Sequence, residues 1–160
     1  MKRSAFVEHF KDLYEHSPWV AEQVFDLGVS KALDHRQALL EVFQKTMLQA
    51  TKQQQLQLIC AHPDLAGKAA IQGELTAAST SEQAGAGIGE CTAEEFARFT
   101  KLNQAYKDKF GFPFIKAVKG SNRHQILEAF ETRIDNDAEH EFAHALEEIN
   151  KIASFRMADM

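Results

Sequence analysis

Apolar residues recur along most of the chain at the three- and four-residue spacing of one helix face, and no segment shows the sustained alternation of a half-buried strand. Phe6, Phe10, Leu13 and Tyr14 set a first helix. Ser17-Pro18 then supplies an N-cap followed by proline at the first helical position, opening a short second helix to about Leu27-Gly28. From Asp34, the positions Leu39, Leu40, Phe43, Met47 and Ala50 mark a third helix, and Thr51 caps a fourth through Leu56, Ile59 and Cys60. That helix stops near His62, because a residue before proline is driven out of the α region.

Residues 63–91 carry the weakest periodicity and the densest glycine, with Thr76 and Ser79 as possible caps for a short helix around 80–87. Thr92-x-x-Glu95 reads as a capping box opening a helix with Phe96, Phe99, Leu102, Asn103, Tyr106 and Phe110 on one face, closed by Gly111. Phe112-Pro113-Phe114-Ile115 reads as extended. Ser121 is placed to cap a helix bearing Ile126, Leu127, Phe130 and Ile134, and Asn136 to cap a last one running almost to the C-terminus. About seven or eight helices and no strand put the chain in the all-α class, with a glycine-rich loop region in the middle.

A length of 160 residues predicts one domain over 1–160, and 44% hydrophobic with 26% charged residues is the makeup of a folding chain. The net charge of -5 argues against nucleic acid or an anionic membrane as partner. Cys60 and Cys91 form no CxxC pair, so neither a disulfide framework nor a cysteine zinc site is indicated, and both read as core or incidental. Met1-Lys2-Arg3-Ser4 does not lead into a signal-type apolar run, and Ala158-Asp159-Met160 is not the peroxisomal Ser-Lys-Leu. The expectation is a cytoplasmic protein.

His140-Glu141-Phe142-Ala143-His144 has the H-E-x-x-H form of a zinc hydrolase, but the extended pattern would place its third ligand on Asn150. Around the helix, Phe142, Leu146, Ile149 and Ala153 fall within about 40° of one another's mean, whereas His140 and His144 fall about 140–180° from Phe142, toward water. The same projection places Arg156 inside the apolar stripe, where a guanidinium requires a carboxylate of the protein or of a ligand. Ala84-Gly85-Ala86-Gly87-Ile88-Gly89 is a poor nucleotide loop, since Glu90 replaces the third glycine and no strand precedes it. Ser79-Thr80-Ser81-Glu82-Gln83 gathers hydroxyls, a carboxylate and an amide at a helix start, as a polar pocket wall or as a plain Ser79–Glu82 capping box. His62, stiffened by Pro63, is the histidine best placed for proton transfer near neutral pH. Phe112 to Ile115 is either an apolar plug or a pocket floor offering backbone groups to a flat ligand.

Together, His62-Pro63-Asp64-Leu65-Ala66-Gly67, Leu75-Thr76, Ser79-x-x-Glu82-Gln83, Ala86-Gly87 and Asn103-x-x-Tyr106-x-x-Lys109-Phe110-Gly111-Phe112-Pro113-Phe114 resemble the OHCU decarboxylase family. Arg133, Ala145, Ile149 and Ile152-x-x-x-Arg156 extend the resemblance over nearly the whole chain. The resemblance implies an all-helical, cofactor-free and metal-free decarboxylase of urate catabolism, commonly a homodimer, that yields (S)-allantoin from a ureidoimidazoline carboxylate. It implies His62 as catalytic histidine and Glu82 as its acidic partner. It further implies substrate contacts from Pro63, Ser79, Thr80, Ser81, Gln83 and Arg156, and from the backbone of Phe114, Ile115, Lys116, Ala117 and Val118, where Lys116 is an unexpectedly polar member. A zinc hydrolase built on His140, Glu141 and His144, and a non-catalytic all-α interaction module, are the rival readings.

Overall fold

A computed structural model describes residues 1–28, 35–67 and 73–160. Eight α-helices and one short 3-10 helix, with no strand, make up the regular structure of these residues. They are α1 (Arg3–Phe10), α2 (Trp19–Asp26), α3 (Arg36–Leu48), α4 (Lys52–Ala61), α5 (Ala77–Gly85), α6 (Ala93–Phe110), α7 (Arg123–Arg133) and α8 (Ala138–Ala158), with the 3-10 helix Ile88–Glu90 between α5 and α6. The all-α expectation therefore holds.

The described residues form two compact units, Met1–Ala61 with Ile149–Met160, and His62–Glu148. In the first, the rings of Phe6 and Phe43 stack with centroids 6.0 Å apart, and Phe10, Tyr14 and Phe25 surround them. Leu58, Ile59, Ile149, Ala153 and Met157 are buried there as well. The Tyr14 hydroxyl donates to Asn150 Oδ1 at 2.9 Å, so a residue from each end of the chain shares this core. In the second unit, Tyr106 is ringed by Phe110, Phe112, Phe114 and Phe130, and Phe114 stacks on Phe130 at 3.9 Å.

The predicted element boundaries shift where several capping residues compete. The first helix ends at Phe10, although Leu13 and Tyr14 beyond it are fully buried as their spacing requires. Ser17 does not cap α2: its hydroxyl donates to the Glu15 carbonyl at 2.8 Å, and Pro18 occupies the N-cap position with helical dihedrals. Asp34, expected to begin α3, lies outside the described residues; the helix starts at Arg36 behind His35. Thr51 caps α4 as expected, its Oγ1 accepting from Gln54 N at 3.1 Å. Thr76, whose Oγ1 accepts from Ser79 N at 3.2 Å, caps α5, so the Ser79–Glu82 capping-box reading is excluded and Ser79 is interior to the helix. The Thr92/Glu95 box and the left-handed Gly111 (φ 78°) bound α6 as predicted. Asn122, not Ser121, caps α7, and Asp137, not Asn136, receives the His140 N–H at the start of α8. Cys60 is exposed and Cys91 half-buried, so neither is a core residue, and both are free thiols.

Candidate functional site

The residues singled out from the sequence as a candidate site, except Arg156, lie in the second unit, which begins with the turn at His62. Buried His62 leaves α4, Pro63 stiffens the chain, and Ala66 adopts the left-handed conformation at φ 54°. That conformation costs a residue with a Cβ about 1–2 kcal/mol, so neighbouring contacts must hold it. Gln83 on α5 supplies them: its Oε1 accepts from Ala66 N at 3.1 Å and its Nε2 donates to the Asp64 carbonyl at 3.3 Å. From α6, Asn103 Nδ2 donates to the Leu65 carbonyl at 2.9 Å, and Lys107 Nζ pairs with Asp64 Oδ2 at 2.7 Å. Gly67 lets the turn close, for a Cβ there would lie 2.6 Å from the Asp64 Cβ.

Faces of two helices, α5 and α6, are thereby registered at the residues following His62. Ser79 and Gln83 are buried on the same face of α5, half-buried Glu82 lies beside them, and Thr80 and Ser81 are exposed on its other sides. Thr80 and Gln83 also line a cavity of about 400 Å³ with Ala66, Leu75, Ile88 and Phe96. Its walls are mainly apolar, with the Cys91 thiol among them; burial first, and the Glu95 carboxylate second, push that thiol's pKa up, away from a reactive thiolate.

The Phe114–Val118 stretch belongs to this unit and is non-helical, with Phe114, Ile115, Ala117 and Val118 buried and Lys116 half-buried. Arg133 Nη1 donates to the Ile115 carbonyl at 2.6 Å while its guanidinium lies 4.5 Å above the Phe114 ring. Glu148 Oε2 accepts from Ala117 N at 3.0 Å. Arg156 belongs instead to the first unit: it points inward as its helix position requires, and there meets Glu15 Oε2 at 2.7 Å and the Asp12 carbonyl at 3.0 Å.

His140, Glu141 and His144 each bring a ligand atom within 4.8 Å of the others, looser than the edge of a zinc tetrahedron with bonds of about 2.0–2.2 Å. Glu141 is fully buried and committed elsewhere, its Oε1 accepting from Tyr106 Oη at 2.7 Å and Arg133 Nε at 2.9 Å, its Oε2 from Asn136 at 3.1 Å. Burial first, and the bond to Glu141 next, hold Tyr106 protonated by raising its pKa. A carboxylate so engaged is not a free general base, and His140 faces solvent as predicted.

Asn103, Lys107, Arg133 and Glu148 received no site role from the sequence reading, and Glu141 only a part in the zinc reading, although two signals marked Asn103, Glu141 and Glu148. Asn103 stands in the buried ladder Phe99, Asn103, Tyr106, Phe110, where an amide is retained only with a partner. Glu141 and Glu148 alternate with Ala145 and Ile152 at four- and three-residue spacing, a second edge of the buried stripe of α8.

An all-α chain that locks a proline-stiffened histidine turn against a polar helix face has the form of a helical enzyme. The family model for OHCU decarboxylase matches residues 1–158, and the chain belongs to that family. It is 38% identical over 155 residues to the 2-oxo-4-hydroxy-4-carboxy-5-ureidoimidazoline decarboxylase of Haloferax volcanii, covering 97% of this chain and 88% of that one. A uric acid degradation bifunctional protein of Bacillus subtilis is 36% identical, matching all of this chain and 31% of its own length. Among solved structures, that of an (S)-allantoin synthase aligns with a TM-score of 0.79 at 32% identity, over 99% of this chain and 50% of the other. An OHCU decarboxylase crystallised in the presence of (S)-allantoin aligns at TM-score 0.76 and 25% identity, over 94% and 95% of the two chains.

Proposed function

We propose that His62 and Glu82 are the acid–base pair with which this chain decarboxylates 2-oxo-4-hydroxy-4-carboxy-5-ureidoimidazoline to (S)-allantoin in urate degradation. The observation that carries the assignment is the turn after His62, held by Gln83, Asn103 and Lys107 in a conformation its sequence would not adopt unaided. Family membership over 1–158 supplies the substrate.

In the reaction the bond between the ring carbon and its carboxylate breaks and CO₂ leaves. The electron pair passes into the adjacent imine, the hydroxyl-bearing carbon that lost CO₂ becomes the ring carbonyl as its hydroxyl proton leaves, and a proton is delivered to the neighbouring ureido-bearing carbon. Because the substrate itself accepts the electrons, the step has no chemical need of a metal or an organic cofactor. His62 and Glu82 handle the substrate hydroxyl and deliver the proton to one face, a contribution of about 10²–10⁴-fold. Pro63, Ser79, Thr80, Ser81, Gln83, Arg156 and the 114–118 backbone hold the ureido and ring polar groups in this reading, each charge-assisted bond contributing about 1.5–3 kcal/mol. Gln83 contributes with the donor and acceptor capacity left over from Asp64 and Ala66.

A single functional domain over 1–160, homodimerisation and a cytoplasmic location belong to the same proposal. They are supported by the family resemblance, by the free thiols of Cys60 and Cys91, and by the lack of any described helix long and apolar enough to cross a membrane. The net charge of -5 favours a small-molecule substrate over nucleic acid or an anionic membrane.

The test generates the unstable substrate in situ from urate with the two upstream enzymes and follows (S)-allantoin by circular dichroism. Wild type accelerates its appearance, with or without chelator, and His62→Ala loses about 10²–10⁴-fold while folding normally. Near wild-type turnover by His62→Ala would overturn the assignment.

A further inference from the structure

Buried polar side chains outside the proposed acid–base pair converge on one short stretch of backbone. Arg133 on α7 and Glu148 on α8 are both more than nine-tenths buried, and each spends a charged group on the 115–117 segment. Arg133 Nη1 donates to the Ile115 carbonyl at 2.6 Å, and Glu148 Oε2 accepts the Ala117 N–H at 3.0 Å. Burying a guanidinium and a carboxylate is costly, and one donor of the guanidinium, Nη2, is buried without any hydrogen-bond partner. Behind them the chain of contacts continues, since Glu141 Oε1 fixes Arg133 Nε at 2.9 Å and His144 Nε2 lies 3.3 Å from Glu148 Oε1.

Between the anchors at Ile115 and Ala117 lie the N–H and C=O of Lys116. No hydrogen bond among the described residues engages that N–H or C=O. A donor and an acceptor on an anchored backbone match a planar ureido or lactam edge.

We infer that Arg133 and Glu148 are positioning residues that clamp the 115–117 backbone so that the Lys116 peptide presents its donor and acceptor to the substrate. The inference rests on the decarboxylase reading and adds to it how the backbone subsite is held and which peptide within it does the binding.

Glu148 is the residue to vary, because removing Arg133 would strand Glu141 as a buried charge and threaten the fold. Glu148→Ala frees the Ala117 N–H, so that amide exchanges with solvent faster by at least about tenfold and KM rises about tenfold, with kcat within about threefold of wild type. Glu148→Gln keeps an acceptor oxygen and restores both readouts. In wild type, (S)-allantoin slows exchange at Lys116 N–H more than at its neighbours. Unchanged Ala117 exchange in folded Glu148→Ala, or unchanged KM, overturns the inference. A wild type that never turns over substrate would defeat the decarboxylase reading instead, and Ala117 exchange would still decide whether the clamp exists.

Discussion

Two adjacent residues shape the histidine turn, Ala66 by its strained backbone and Gly67 by the space its missing Cβ leaves. Ala66 has φ 54°, tolerated because Gln83 takes its N–H, whereas Gly67 is required sterically, its missing Cβ leaving room for the Asp64 side chain. Gly67→Ala forces backbone or Asp64 to move and costs about 1–3 kcal/mol in urea unfolding. Ala66→Gly relieves a left-handed residue and changes stability by less than about 1 kcal/mol. If both substitutions had the same effect, the close approach to Asp64 would not be the constraint. His62, Pro63 and the Ser79/Gln83 face could be singled out in the sequence because their residue types announce their chemistry. The ties that hold them could not, because an asparagine and a lysine on α6 look like any others until Leu65 and Asp64 are folded beside them.

Helix interiors were readable from spacing, and helix starts were decided by which candidate cap completes a reciprocal pair. Ser121 and Asn122 are both capping residues, but only Asn122 has a glutamine three positions on, and Gln125 returns a bond to the Asn122 N–H at 3.0 Å. Asn136 loses to Asp137 because buried Glu141 claims its amide at 3.1 Å. The strongest such element is the start of α6, where Glu95 accepts from Thr92 N at 3.1 Å and pairs with Arg123 Nε at 2.9 Å, with His124 Nδ1 at 3.5 Å. The Thr92 bond first, and Arg123 after it, hold the Glu95 carboxyl below the usual carboxylate range. A carboxyl whose folded pKa is depressed adds stability that is fully present above the unfolded value of about 4.3 and is lost as pH falls through the folded one. Glu95→Gln is therefore less stable than wild type at pH 7, and the gap between their urea midpoints narrows once the pH drops below about 4. A gap independent of pH would mean that Glu95 acts through its amide-like geometry alone.

For the whole molecule, the first unit is a discontinuous structure, built from residues 1–61 and completed by 149–160. Polar ties that join its segments include Tyr14 to Asn150 at 2.9 Å, Arg36 to the Met160 carbonyl at 2.7 Å, and Arg156 to Glu15 at 2.7 Å. The helix projection foresaw an inward Arg156 in need of a carboxylate but left open whose; a projection of one helix carries no information about a residue 141 positions away. The Arg156 and Glu15 side chains are 9% and 1% exposed, so Arg156→Ala takes the guanidinium from a buried carboxylate and costs about 3–5 kcal/mol of stability. Adding Glu15→Gln removes that buried charge and recovers part of that loss, which thermal melts of the two variants will show. The substrate role proposed for Arg156 is separable from this one, because Glu15→Gln alone removes the ion pair and keeps the guanidinium. Assayed well below the melting point of each variant, Glu15→Gln retains turnover, whereas Arg156→Ala and the double variant raise KM and lower kcat together. Equal loss of activity in Glu15→Gln and Arg156→Ala would show that the arginine serves the reaction only by holding the first unit together.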